Sequence, residues 1–170
     1  MARSFQRGRR QKKSWANSNL GDRIVLTTSQ IEICSVTVGE ASSGEVTILR
    51  TRGGILVAGI PDGGSDSDML AMGLCIVPET TRAVGGLSLP GPIVDAGADF
   101  WLWHRFVPLM AGDATSGDPA SILFNERIEL DAKAMRRWPS DTALVLIAEL
   151  TTGDFASVVC SSQFRVLTGL

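Results

Sequence analysis

Six cations, Arg3, Arg7, Arg9, Arg10, Lys12 and Lys13, crowd the start of the chain, and no Asp or Glu occurs before Asp22. The chemistry such a run offers is electrostatic. A block of like charge without an apolar pattern repels itself, stays unfolded alone and acts as an interaction tail. Its natural ligand is the phosphate backbone of nucleic acid, and the same charges would serve a nuclear-import signal. The net charge of -2 conceals the asymmetry: with six of the 16 basic residues in the tail, the rest holds 10 basic against 18 acidic residues, a net of -8. A secretory signal is set aside because the polar stretch SWANSNLGDR follows the cations, and RGRRQKK is too dense for the amphipathic helix of an organelle transit peptide.

Other groups with chemical potential are few. His104 is the only histidine and there is no Tyr. Any Ser-His-Asp or Cys-His arrangement would have to use His104, which lies in an aromatic segment between Trp103 and Arg105, where packing or hydrogen bonding is the expected role. Neither a nucleophile elbow nor a paired zinc motif nor a phosphate loop occurs. Asp62, Asp66 and Asp68 share the Gly-rich stretch PDGGSDSD, where a Ca²⁺ ion would relieve their repulsion. The spacing lacks the helix flanks and closing Glu of an EF-hand, so a solvated loop is expected and no metal. Cys34, Cys75 and Cys160 are odd in number and far apart in apolar contexts, which suits small buried hydrophobes in a reduced, intracellular chain. No enzyme and no cofactor are expected.

The elements that must position these groups are strands. The chain has 170 residues, 44% of them hydrophobic, enough for one domain, and no apolar stretch is long enough to span a membrane. Short or alternating apolar runs cover 23–39, 45–53, 54–60, 69–78, 99–109, 121–131, 142–150 and 155–167, with Gly53-Gly54 read as the bend between two of them. In 99–109, Phe100, Leu102, His104 and Phe106 would share one face, and Trp101, Trp103 and Arg105 the other. There is no room for crossover helices, so about eight strands in an antiparallel sandwich or barrel fit best. DAKAMRRWP (131–139) is the one helical stretch, capped by Asp131 and stopped by Pro139, with Trp138 expected on the core. The loop 84–99 would expose Leu87, Leu89, Ile93 and Val94 on a monomer, which points to burial against a neighbour.

A basic arm over residues 1–20, then a β-sandwich domain over 21–170 with long loops and no catalytic set, resembles the coat proteins of small icosahedral viruses. The resemblance spans the whole chain in architecture, and only RSFQRGRRQKK corresponds to a family feature residue by residue. It implies an all-β, antiparallel jelly-roll-like sandwich of about eight strands with one short helix. It further implies a capsid protein that assembles with identical subunits into a closed shell. Arg3, Arg7, Arg9, Arg10, Lys12 and Lys13 would then face the packaged genome, without sequence preference. The location implied is the virion, with the host nucleus or cytoplasm during assembly, and no membrane. Trp15 at the base of the arm would anchor it to the domain, or stack on an unpaired base. Two alternatives stay open: a sequence-tolerant nucleic-acid-binding β-barrel, which would want basic and aromatic residues on the sheet itself, and a virion decoration protein.

Overall fold

The computed structural model describes residues 13–18, 21–38, 45–60, 67–79, 101–110, 121–128, 130, 137–139, 141–151 and 157–169. All its elements are strands, and all pairing is antiparallel. Strands β1 (Lys13–Asn17) and β2 (Gly21–Leu26) lie end to end along one side of β10 (Ser157–Gly169). Likewise β7 (Ser121–Ile128) and β8 (Arg137–Pro139) follow one another along the free side of β4 (Glu45–Ile60), which pairs with β10 on its other side. The six-stranded sheet is thus four strands wide. The second sheet runs β3 (Ile31–Val38), β9 (Thr142–Leu150), β5 (Ser67–Pro78), β6 (Trp101–Met110).

This order follows from a chain folded back on itself. The innermost pair is β5 with β6, then β4 with β7 and β8, then β3 with β9, and outermost β1 and β2 with β10. Rolling that nested hairpin sets β10 beside β4 and β9 beside β5. The result is the jelly-roll-like sandwich, with about eight strand positions filled by ten segments. Between the sheets lies the main core, including Ile48, Ile55, Leu70, Leu74, Leu144, Leu146, Phe164 and Val166. Each such side chain contributes roughly 1.5–3 kcal/mol when it leaves water.

Four local expectations change. Gly53 and Gly54 do not bend the chain: β4 runs straight through them. Gly53 sits opposite Phe164, and a Cβ there would collide with the Phe164 Cβ and stand 2.6 Å from the Gln163 carbonyl oxygen. Close approach of β10 therefore excludes a side chain at Gly53. In DAKAMRRWP, residues 131–136 lie outside the described ones, and Arg137–Pro139 are strand β8, paired with Glu45–Thr47, rather than the end of a helix. The unpaired edge of β4 and the packing of Trp138 on the core outweigh local helix propensity, and Pro139 fits a sheet edge.

In β6 the alternation slips at a bulge, where the register passes from Leu74↔Trp103 to Cys75↔Trp101. Leu102 and Trp103 both enter the main core, while Trp101 joins a second cluster on the far side of the sheet. Finally, the folded body reaches back to Lys13, because β1 continues the edge that β2 begins, so residues 13–17 belong to the sheet and not to an arm ending at residue 20. Ser18, just past β1, is tied to β10: its N–H donates to the Phe164 carbonyl at 2.8 Å, and its hydroxyl accepts from the Phe164 N–H at 3.1 Å.

Candidate nucleic-acid interface

The outward face of the six-stranded sheet is built from positions that alternate with the core. On β4 these are Arg50, Arg52, Gly54 and Leu56; on β10 Ser161, Gln163, Arg165 and Leu167; on β7 Asn125 and Arg127; on β1 Trp15 and Asn17. Arg165 stands directly opposite Arg52, and Arg127 opposite Gly54. Like charges placed opposite each other on a sheet are destabilising, so this pairing is unfavourable for the isolated fold. The Arg165 guanidinium also lies 4.9 Å from the centre of the Trp15 ring, which is itself 45% exposed.

Few carboxylates offset these charges. Among the described side chains on this face the one acid is Glu45, held by Arg137 at 3.5 Å. Glu126 points the other way, toward the rim, and pairs with Arg105 of β6 at 3.3 Å, tying the two sheets together along one edge. Arg50, Arg52 and Arg165 have no carboxylate partner among the described residues. A shallow trough of about 480 Å³ runs between Asn17, Arg52, Arg127, Gln163 and Arg165. A second of about 340 Å³ continues it past Gly54, Leu56, Asn125 and Ser161, sharing Gln163. A Cβ on Gly54 would meet only the Glu126 carbonyl oxygen, at 3.4 Å, an ordinary contact. Packing forbids a side chain at Gly53 and permits one at Gly54.

Of the cations singled out from the sequence, Arg3, Arg7, Arg9, Arg10 and Lys12 lie outside the described residues. The backbone of Lys13 opens β1 opposite Gly169, at one end of the arginine-bearing face. Trp15 is anchored through its strand while leaving much of its ring in solvent. Arg50, Arg52, Arg127 and Arg165 were not singled out from the sequence. The RTR spacing of Arg50 and Arg52 was the available signal, since alternate residues of a strand share a face, but Arg127 and Arg165 join them only through long-range pairing.

The remaining candidates have structural surroundings. Asp62, Asp66 and the loop 84–99 lie outside the described residues. Asp68 is buried, and its Oδ1 accepts the N–H groups of Met69 at 2.7 Å and Thr151 at 3.0 Å, fixing the start of β5 to the end of β9. His104 is half-buried opposite Gly73 on the far face of the second sheet. Cys34, Cys75 and Cys160 are free thiols inside the protein. Burial pushes Cys34 up to about 11, with hydrogen bonds from Ser162 and Ser18 holding it back, and pushes Cys75 and Cys160 up to about 12. Thiols held neutral in this way are poor nucleophiles and poor metal ligands.

The chain matches no protein-family model and no curated protein. Among solved structures it is similar to a chain in the structure of infectious bursal disease virus, Gx strain, with a TM-score of 0.37 and 11% identity. The match covers 94% of this chain and 32% of that one, so this chain spans about a third of the viral chain's length.

Proposed function

We propose that this is a viral structural protein: a shell subunit that assembles with identical copies into a closed icosahedral particle and packages nucleic acid through its basic N-terminal residues. The observation that carries the reading is a nested jelly-roll-like sandwich entered directly from a polycation. Lys13, the last of the six cations, is also the first residue of β1, so the cationic run leads straight to the edge of an arginine-bearing sheet. Double-sheet jelly rolls serve capsids, lectins and cupins alike. The basic run and the absence of a histidine cluster from the sequence favour the first of these.

In this reading Arg3, Arg7, Arg9, Arg10, Lys12 and Lys13 contact phosphates without reading bases, the protein performs no catalysis, and its place is the virion after assembly in the host nucleus or cytoplasm. Light scattering after size exclusion, with negative-stain imaging, is the test. Closed particles of many subunits are expected, carrying nucleic acid whose amount falls when Arg3, Arg7, Arg9, Arg10 and Lys12 are replaced by Gln. A monomer that persists across salt and protein concentration overturns the shell. The arginine face favours one second reading, a nucleic-acid-binding β-sandwich acting as a monomer or small oligomer, and that same monomer result would select it if oligonucleotide binding remained.

A further inference from the structure

The geometry points to a second nucleic-acid site within the folded domain: we propose that the trough between Arg52, Arg127 and Arg165 holds the phosphate backbone of a single strand, with Trp15 as the stacking surface beside it. Four observations converge on that ligand. Arg50, Arg52, Arg127 and Arg165 gather on one face of a domain whose overall charge is acidic, and three of them line one trough. Arg52 and Arg165 are set opposite each other without a carboxylate between them, an arrangement that a polyanion would relieve. An exposed Trp adjoins the cluster and is bracketed by one of its guanidiniums. A positively charged groove with an aromatic platform is the arrangement that binds single strands without sequence preference.

The fourth observation is Gly54. A glycine inside a strand weakens it and often marks a close approach of ligand or backbone. Gly53 is explained by Phe164, whereas at Gly54 a Cβ would fit. Its missing side chain instead leaves the second trough open beside Gln163, which both troughs share, with Arg127 on its other side. Asn17, Asn125 and Gln163 supply neutral donors and acceptors along the same path. The inference rests on the packaging reading for the identity of the polyanion and not for the existence of the site.

The test titrates fluorescently labelled oligo(dT) and oligo(rU) into four forms of the full-length chain at several salt concentrations. The parent and a form with Arg3, Arg7, Arg9, Arg10 and Lys12 changed to Gln come first. The third adds Arg52→Gln, Arg127→Gln and Arg165→Gln to the second, and the fourth adds Gly54→Val to the second instead. The arm-neutral form should keep measurable affinity, with a slope of log affinity against log salt of about -2 for three single-strand phosphate contacts. The trough substitutions should lower that affinity by about tenfold or more and flatten the slope. Gly54→Val should lower it too, while melting at the same or a higher temperature, a combination that a purely structural glycine would not give. Loss of all binding in the arm-neutral form, or unchanged binding in the trough variant, overturns the proposal. So does loss of particle assembly in the trough variant with oligonucleotide binding intact, which would make the face a contact with an acidic surface of another copy. If the parent is monomeric, the shell reading fails while the oligonucleotide result still judges the trough.

Discussion

The two sheets treat their outward faces in opposite ways. On the four-stranded sheet, Cys75, Val77, Trp101, Ala143, Val145 and Ile147 form a buried apolar cluster on the side away from the main core, so β5 and β9 are buried on both faces. On the six-stranded sheet the corresponding face carries arginines, amides and an open glycine, and its large apolar residues Trp15, Val25 and Leu56 are exposed. A strand buried on both sides reads as a continuous apolar run, and one buried on a single side alternates. TALVLIAEL in β9 and the alternating burial of β10 are those two cases. The contrast separates the sheets: β5 and β9 are buried on both sides, whereas the six-stranded sheet leaves a charged face toward solvent.

The sharpest way to break this contrast is to place a carboxylate on each outward face. Ile147→Asp puts an unpaired charge into the buried cluster and should cost more than about 4 kcal/mol, enough to unfold a marginal domain. Leu56→Asp, on a residue 38% exposed, should change stability by less than about 0.5 kcal/mol and weaken oligonucleotide binding instead. Urea denaturation of the two variants compares the faces directly. Equal stability losses would mean that both faces are covered.

Next in size is Gly53→Ala. Its added carbon would strike Phe164 where β4 and β10 approach, and the loss should be about 3 kcal/mol, the upper part of the range for overpacking. The same substitution at the neighbouring Gly54 should be neutral or stabilising. A large loss at Gly54 would remove the reason for treating it as the floor of a ligand site.

These two glycines also mark how far the sequence could be read. Alternation and punctuation place most strands, since period two needs only local information. A Gly-Gly pair reads locally as a bend, and only the partner strand, more than a hundred residues away in sequence, shows that one glycine is demanded by Phe164. The same limit hid the arginine face. Arg50 and Arg52 are neighbours by alternation, but Arg127 and Arg165 reach them through register set by the nested pairing. Likewise RWP looked like the end of a helix until the unpaired edge of β4 gave it a partner. What stayed legible was composition: a basic run against an acidic remainder, and three cysteines suited to the interior.

Those cysteines supply a smaller test, graded by pH. Their folded pKa values of about 11 and 12 lie above the ordinary 9, so folding favours the neutral thiols. The stability this gives is complete below pH 9 and is lost as pH rises from there toward 12. The urea midpoint should fall over that alkaline window, and less so after Cys→Ser replacement at the three sites. At pH 8 iodoacetamide should label all three together, at the rate of global unfolding. Early labelling of Cys75 alone, the one thiol in the far-face cluster, would show that this layer opens separately from the sandwich.

The smallest expected effect tests whether the two faces of β4 are independent. Thr51 lies between Arg50 and Arg52, opposite Val166, close to the bulge where the β4–β10 register shifts. Its hydroxyl is buried and has no hydrogen-bond partner among the described residues. Leaving a hydroxyl unpaired in the interior costs about 1–3 kcal/mol. Val has nearly the same shape with no group to satisfy, and its β-branch suits a strand. Thr51→Val should therefore raise stability by about 1 kcal/mol, read as a higher urea midpoint with an unchanged slope. Because Thr51 points inward, both arginines beside it should keep their positions, and oligo(dT) affinity should not change. A loss of stability would mean that the hydroxyl is bonded in solution. A gain in stability accompanied by weaker binding would mean that the arginine face depends on slack in the core beneath it, and that the two sides of β4 act as one.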